Sequence, residues 1–411
     1  MQEQGKQGWT VVAVLFATMF LIWGPVNASG VFFLPVVKHF GWSRALFSLL
    51  VATAPLAAGF SSPAIGSLMD RYGERKIMIV GATMVALSYL ALSRADSAAA
   101  FFVTFVVLGV GITASTIIPA ALVITSLFRE QRGLALGIAF AGIPLGGTGI
   151  TILASRIVQR SGFRAGYFAM AIPILLVVIP LLALFMRTPP QRVAGGATAA
   201  ALPGLEVSES LRSRSFWMIA IAEVFFATAS VGLRVHLVPF LTGVGYSPTL
   251  AAEILGAMFV FSAIGSFAMG ALADRLGGRT TLSLVFFAGA AGIAALLGAS
   301  HLIGVAGFIL IFGLVRETHV LPIAITESLG AKRLGTLLGL LALFTTFGFA
   351  AGPVIAGRIF DRTGSYTGAL LLFVVLAIVS TLAMRATSPL AEETTRIDAG
   401  EAAPAEPVTL R

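Results

Sequence analysis

The sequence predicts an all-α membrane protein with twelve transmembrane helices in two six-helix bundles and both termini cytoplasmic. Composition, the number of long apolar segments and one duplicated loop predict this fold class. Of the 411 residues, 57% are hydrophobic and 11% are charged, whereas a soluble chain carries about a quarter charged residues. The 45 glycines are also typical of a membrane protein, because small residues let membrane helices pack closely.

The same composition argues against several classes of function. The chain has no cysteine, which excludes disulfides, thiolate metal sites and cysteine nucleophiles. The net charge of +9 is spread along the chain, so we expect a lipid bilayer and no nucleic acid as partner. No His-Glu-x-x-His or Gly-x-Ser-x-Gly motif is present, and the glycine cluster 142–149 lacks the lysine of a phosphate loop. We therefore expect no enzyme activity, no cofactor and no metal site.

Apolar segments long enough to cross a bilayer, about 20 residues each, divide the chain into two sets of six. They lie at 11–37, 45–69, 77–93, 99–127, 133–158, 165–186, 216–243, 250–273, 280–299, 302–328, 334–360 and 366–386. The predicted domains are a first six-helix bundle at 1–186, a cytoplasmic linker at 187–213, a second bundle at 214–387 and a disordered cytoplasmic tail at 388–411. The first apolar run is too long for a cleavable signal peptide.

Basic residues orient these segments. Seventeen lie on the side of the termini and eight on the opposite side. The positive-inside rule therefore predicts that both termini and the linker are cytoplasmic. We expect a multi-pass protein of the bacterial inner (plasma) membrane.

One charged loop occurs twice, 204 positions apart, each time between two apolar segments. The first copy contains Gly66, Asp70, Arg71, Gly73 and Arg75, and the second contains Gly270, Asp274, Arg275, Gly277 and Arg279. The glycines permit a tight turn, and each aspartate can pair with cytoplasmic arginines or a helix N-terminus and so lock a closed face. The alternative is that these charges only set topology, and the duplication favours gating. A duplicated membrane half with one charged hinge is typical of a transporter, with its substrate site between the halves near the midplane.

Ionisable residues inside the membrane are costly and are candidates for a functional site. They fall on segments seven and ten: Glu223, Arg234, His236, Arg316, Glu317 and His319. On segment seven, Glu223, Ser230 and Arg234 share one helical face. Arg234 and Arg316 are the candidates for holding a substrate anion, because a guanidinium binds a carboxylate through two hydrogen bonds.

The remaining four ionisable residues, His319, Glu317, His236 and Glu223, are the candidate proton carriers. Structural ion pairs between these arginines and glutamates are the alternative interpretation. Trp23 and Asn27 are spaced so that they share one face of segment one. Thr113 and Thr116 are likewise spaced so that they share one face of segment four. They are candidates for contact with a small apolar or aromatic body, with core packing as the alternative for each.

The hinge loop resembles the hallmark of the major facilitator superfamily. Within it the chain resembles the monocarboxylate-porter group, which includes the oxalate/formate exchangers, at residues 30–33, 40–44, 132–142 and 352–366. The resemblance implies the major facilitator fold and transport of small carboxylates, often with a proton. Members of this group carry an aspartate–arginine pair in segment eight, whereas 254–272 here has no charge, and a lysine where Asn27 stands. Either Arg234 and Arg316 replace those groups or the substrate is not a simple monocarboxylate.

Two functions follow as hypotheses. The first is a secondary active symporter that moves a small organic anion, a monocarboxylate or aromatic carboxylate, with a proton by alternating access. The second is a proton-driven efflux pump for a drug, metabolite or metalloid compound, with Glu223 or Glu317 as the exchanging group. A non-transporting sensor is disfavoured, because the linker and tail are short. We expect a monomer.

Overall fold

The computed structural model describes residues 2–128, 131–186, 203–315 and 319–401, and these residues are almost entirely helical. The helices of the first half are α1 (Gln2–Asn27), α2 (Ser29–Phe40), α3 (Arg44–Tyr72), α4 (Glu74–Arg94), α5 (Ala98–Ser115), α6 (Ile117–Leu127), α7 (Arg132–Pro173) and α8 (Ile179–Phe185). A five-residue π-helical stretch, Ile174–Val178, joins α7 to α8.

The second half repeats this arrangement after the linker. Its helices are α9 (Val207–Arg212), α10 (Arg214–Val244), α11 (Pro248–Leu276), α12 (Gly278–Ala295), α13 (Leu302–Gly313), α14 (Leu321–Ser328), α15 (Leu334–Thr363), α16 (Thr367–Arg385) and α17 (Leu390–Glu401).

Ten helical stretches in the described part of the chain are long and apolar enough to cross a membrane. One of them, Arg132–Phe185, has 54 residues, and a straight helix of that length would measure about 81 Å against a hydrocarbon core of about 30 Å. It bends at Gly162, where φ is 81° and ψ is 168°, and so contains the two predicted spans 133–158 and 165–186. The predicted span 302–328 consists of α13 and α14. The prediction of an all-α protein with twelve spans is confirmed.

Three spans are interrupted near their middle. The first breaks at Ala28, between α1 and α2, and the fourth at Thr116, between α5 and α6. In the tenth, α13 ends at Gly313 and α14 begins at Leu321. In the fourth span, Pro119 lies four residues after the last residue of α5 and cannot continue its hydrogen-bond ladder. Discontinuous helices of this kind form binding sites in transporters, because their free ends face a cavity.

The two halves meet along two seams, α3 against α15 and α7 against α11. Each seam is built on a pair of glycines. A Cβ added at Gly66 would lie 2.1 Å from the carbonyl oxygen of Gly335, and one at Gly270 would lie 2.2 Å from that of Gly133. Any side chain at these positions would push the backbones apart, so glycine is required for the seams to close.

The seams lie at the end of the molecule that carries the duplicated loop, which we call the hinge end. Toward the other end, the same helices pack within their own half. Ala54 of α3 contacts Gly109 of α5, and Gly352 of α15 contacts Thr228 of α10. The halves are therefore closed at the hinge end and diverge toward the opposite end.

The segment after the last span differs from the predicted disordered tail at 388–411, and that prediction is wrong for 390–401. These residues form α17, and Glu393 is only 2% exposed. The Oγ of Ser215, at the start of α10, donates to Glu393 over 2.6 Å. This contact joins residues 178 positions apart, so local composition could not reveal it. Residues 402–411 of the tail, and 187–202 of the predicted linker, lie outside the described residues.

Candidate functional site

Each hinge aspartate binds the N-terminus of a helix in the opposite half. Asp70 accepts from the backbone N–H of Thr336 at 3.0 Å and from its hydroxyl at 2.8 Å. Asp274 accepts from the backbone N–H groups of Gly133 at 2.6 Å and Leu134 at 2.9 Å. A carboxylate at a helix N-terminus is stabilised by the free N–H groups and by the helix dipole. The two aspartates therefore tie both seams together.

The hinge arginines brace each half internally. Arg75 donates to the carbonyl of Ala183 at the end of the sixth span. Arg279 makes the matching contact at the end of the twelfth, where its Nε lies 3.0 Å from the hydroxyl of Thr387 and its Nη2 donates to the Thr387 carbonyl. The charged residues of the hinge loop therefore act in two ways, since the aspartate joins the two halves whereas the arginine stiffens its own half.

The other predicted hinge residues shape the loop. Gly73 and Gly277 have φ values of 83° and 82°, a left-handed region that favours glycine. Arg71 and Arg275 are exposed, and the guanidinium of Arg71 lies 5.2 Å from the ring centre of Tyr72. Both copies of the loop therefore adopt one turn.

A further pair of charges at the hinge end was not singled out from the sequence. Glu327, at the end of α14, accepts from the backbone N–H groups of Gly278 at 2.8 Å and Arg279 at 3.0 Å. It also lies 3.6 Å from Arg132 of the first half. The sequence shows a carboxylate at the end of the tenth span, but only the packing of α14 against α12 reveals that this carboxylate reaches the second hinge.

The linker binds the loop that precedes α15. Residues 203–205 pair with 329–331 through two backbone hydrogen bonds of 2.9 Å. The carboxylate of Glu206 lies 2.8 Å from Arg333 Nε and 3.0 Å from Lys332 Nζ. These two hydrogen bonds, that of Arg333 first, hold the pKa of Glu206 below its ordinary value. The linker therefore supports the loop whose helix receives the first hinge aspartate.

Inside the membrane, α10 presents a polar face. Glu223 is 6% exposed and Ser230 is 1% exposed. The Nη2 of Arg234 lies 3.5 Å from the Ser230 hydroxyl, so these groups lie on one side of the helix, as the spacing predicts.

The other sides of α10 are occupied by helices of its own half. Phe226 packs against Phe286 of α12, with ring centres 4.8 Å apart. Gly352 of α15 contacts the backbone of α10, and Gly232 packs on Phe373 of α16. By helical periodicity the polar face lies between the α12 and α15 sides and points away from α16. It therefore looks toward the interior of the molecule rather than toward lipid.

His236 lies on a different side of α10. Its Nε2 is 3.0 Å from the carbonyl of Pro353 and its Nδ1 is 3.1 Å from the hydroxyl of Tyr366. A carbonyl only accepts, so Nε2 carries the proton and Nδ1 of the neutral ring accepts from tyrosine. Both nitrogens are engaged in packing α10 onto the last two spans, apart from the polar face.

His319 and Asn27 both lie against α7, although they come from different halves. His319 is 1% exposed, and its ring centre lies 6.3 Å from that of Phe140, edge to face. One turn along α7, the carbonyl of Ile143 accepts from the Asn27 amide at 3.4 Å. A Cβ at Gly147 would lie 3.0 Å from the Asn27 amide nitrogen, and Gly147 is about 10 Å beyond Phe140 along the helix. Asn27 is therefore about two turns farther from the hinge end than His319.

The predicted threonines are engaged by backbone. Thr113 donates to the carbonyl of Ala58 at 3.2 Å, and Thr116 donates to that of Ile112 at 2.7 Å. Both are buried, and their contact with a substrate stays a prediction. Arg316 and Glu317 lie outside the described residues. No group of three or more histidine or acidic side chains able to hold a metal occurs in the described part.

Comparison with known proteins identifies the family. The model of the Major Facilitator Superfamily matches residues 11–326 and 244–410. This chain belongs to the major facilitator superfamily. It is 26% identical over 369 residues to monocarboxylate transporter 13 of Bos taurus, covering 88% of this chain and 85% of the relative. It is 25% identical over 291 residues to the oxalate:formate antiporter of Oxalobacter formigenes, covering 69% and 68%.

The fold agrees with solved structures of the superfamily. The fucose:proton symporter FucP in its outward conformation superposes with a TM-score of 0.72 at 17% identity, covering 92% of this chain and 99% of that one. The predicted all-α major facilitator fold and the resemblance to the monocarboxylate-porter group are confirmed. The protein is a multi-pass membrane transporter rather than an enzyme, as are the relatives it matches.

Proposed function

We propose that this chain is a symporter that moves a small organic anion, a monocarboxylate or aromatic carboxylate, together with a proton. The observation that carries the proposal is the guanidinium of Arg234 beside Ser230 on the inward face of α10. A guanidinium inside a membrane binds carboxylates more strongly than at a surface, because water competes less. The similarity to transporters named for monocarboxylates and for oxalate and formate supports this class of substrate.

The charged groups are layered by depth. Along α10, Glu223 and Arg234 are eleven residues apart, about 16 Å, which is too far for a direct ion pair. Glu223 is the nearer to the hinge end, and His319, just before α14, is likewise on the hinge side of its span. We assign anion binding to Arg234, with Arg316 as its predicted partner, and proton binding to Glu223 and His319. His236 and Glu317 are the other predicted carriers.

This layering suggests an order of events. An anion enters from the end where the halves diverge and pairs with Arg234. Protonation of Glu223 then removes its negative charge from the path, and the bundles 1–186 and 214–387 rock about the seams. The positive-inside rule makes the hinge end cytoplasmic, and in that orientation the structure faces outward. We propose that it acts as a monomer in the inner membrane of a bacterium.

Reconstituted transport tests the proposal. Proteoliposomes would be offered a panel of labelled carboxylates with and without an inward proton gradient. We expect the gradient to drive accumulation of at least one acid, and Arg234→Ala to abolish it. Arg94→Ala, at an exposed position outside the membrane, should transport as the unmodified protein does and serves as the control.

Two results would contradict the proposed symport, and they lead to different conclusions. Normal transport by Arg234→Ala would refute the anion site. If no acid is taken up under either condition, the efflux function gains support. A specific observation favours that second function, because Glu223 is a buried carboxylate on the same face and could exchange a proton for a cationic compound. Resistance of cells to toxic compounds, lost in Glu223→Gln, would then establish it.

A further inference from the structure

The first span holds a buried hydrogen-bond donor without an acceptor. The Nε1 of Trp23 is shielded from solvent, and no described residue accepts its proton. An indole N–H only donates and cannot rotate to a new partner as a hydroxyl can, and buried tryptophans normally find an acceptor. Trp217 shows the usual situation, since its Nε1 donates to the carbonyl of Leu211 at 2.8 Å.

Trp23 lies on a stripe that emerges from the core toward the opening between the halves. Met19, Trp23 and Asn27 follow at intervals of four residues and so lie on one side of α1. Met19 is fully buried, Trp23 is partly exposed and Asn27 is exposed. The stripe therefore runs from packed interior to accessible surface. At the end of the stripe that lies farther from the hinge end, Asn27 contacts α7 at Ile143 and Gly147.

We propose that Trp23 donates this hydrogen bond to a second acceptor oxygen of the transported anion, and that it selects carboxylates carrying such an oxygen. The inference rests on the proposed anion function and deepens it. Arg234 provides donors from the second half and Trp23 provides one from the first. A planar acid with a carboxylate at one end and a carbonyl, hydroxyl or ether oxygen nearby would satisfy both. Trp23 thereby determines specificity, while the arginine determines whether an acid is bound at all.

The physical basis of the selection is the cost of an unpaired donor. An acid with the second oxygen accepts the hydrogen bond of the Trp23 indole. An analogue with a methylene group in place of that oxygen leaves the indole N–H buried and unpaired. Sites built around such a hydrogen bond discriminate strongly against ligands that lack the partner atom. The expected preference is about tenfold or more in KM, with the maximal rate unchanged.

The experiment compares two labelled acids that differ only by a carbonyl against a methylene, in proteoliposomes. In the unmodified protein the oxo acid should have the lower KM. Trp23→Phe should raise its KM to that of the methylene acid, whose own KM should stay the same. Trp217→Phe is the matched control and should keep the full preference. Trp23→His, which retains an N–H donor, should restore part of it.

Each outcome of this experiment either supports the inference about Trp23 or refutes it. If Trp23→Phe transports both acids and keeps the preference, the inference is wrong while the proposed function stands. If the unmodified protein transports neither acid nor any other carboxylate, the proposed function fails and this inference fails with it. Should Trp23→Phe not fold, replacement of Trp23 by benzothienylalanine, in which sulfur takes the place of N–H, makes the same test with the ring shape kept.

Discussion

The two hinges agree at their aspartates and arginines but differ in the helix that follows. In the first half, that helix begins with its own carboxylate, Glu74, which is 1% exposed. In the second half, Gly278 stands at the equivalent position, and the carboxylate comes from Glu327 on another span. A carboxylate therefore lies at the start of this helix in both halves, but it comes from a different residue in each.

This difference couples the second hinge to the candidate site. The short helix α14 carries Glu327 at its hinge end, and His319 lies two residues before its start. Glu327 also faces Arg132 of the first half. A shift of α14 on proton or anion binding would therefore disturb a contact between the halves directly. We therefore expect the second hinge to respond to binding at the candidate site through α14.

The largest effect is expected from the seam glycines. Gly66→Ala places a methyl group 2.1 Å from the carbonyl of Gly335, and overpacking of this kind costs about 1–3 kcal/mol, or roughly five- to 150-fold in the population of the closed state. Gly30→Ala is the control, because a Cβ there meets nothing within 4 Å.

The seam can be measured directly, because the chain has no cysteine of its own. The ring centres of Phe60 and Phe347 are 6.2 Å apart across the seam, so a bifunctional thiol reagent should join Phe60→Cys to Phe347→Cys in the otherwise unmodified protein. We expect cross-linking and uptake to fall together in Gly66→Ala. Unchanged cross-linking would show that the seam tolerates a side chain.

The hinge aspartates come next. Each makes two hydrogen bonds across a seam, so Asp70→Asn and Asp274→Asn should reduce the maximal rate by similar factors, about tenfold, with KM within about twofold. Asp361→Asn, at an exposed position, is the control. A raised KM at an unchanged maximal rate would argue that the aspartates act in binding rather than in gating.

A smaller effect should distinguish the hinges from each other. The Arg132–Glu327 pair is partly exposed, with side-chain exposures of 26% and 27%, and such pairs contribute up to about 1 kcal/mol. Glu327→Gln and Arg132→Gln should each change the maximal rate by about two- to fivefold, and the double variant should be no worse than either. Multiplicative losses in the double variant would show that the two residues do not act as a pair.

The smallest effect concerns the linker. The lowered pKa of Glu206 means that its ionised form is favoured in the folded state. Its contribution to linker docking is therefore complete above the ordinary value of 4.5 and is lost as the pH falls through the lowered pKa. Hydrogen exchange of 203–212, corrected for intrinsic rates, should show protection at pH 7 that Glu206→Gln reduces. Equal protection in both proteins would assign the docking to the backbone pairing alone.

Sequence reasoning recovered the features that repeat or follow local periodicity. The twelve spans, the two hinge loops and the polar face of Glu223 and Arg234 all follow from hydropathy, duplication and helical spacing. It could not recover contacts between distant segments. The engagement of His236 by Pro353, the capping by Glu327 and the burial of Glu393 each depend on how separate spans pack.

The most direct test of alternating access measures both ends of the same helices at once. Spin labels at Lys76→Cys and Thr280→Cys would report the hinge end, and labels at Arg94→Cys and Ser300→Cys the opposite end; all four positions are exposed. With a transported acid at low pH, rocking of the two halves should lengthen the 76–280 distance while the 94–300 distance shortens. Distances that stay fixed, or that change in the same direction at both ends, would contradict rocking about the hinge seams.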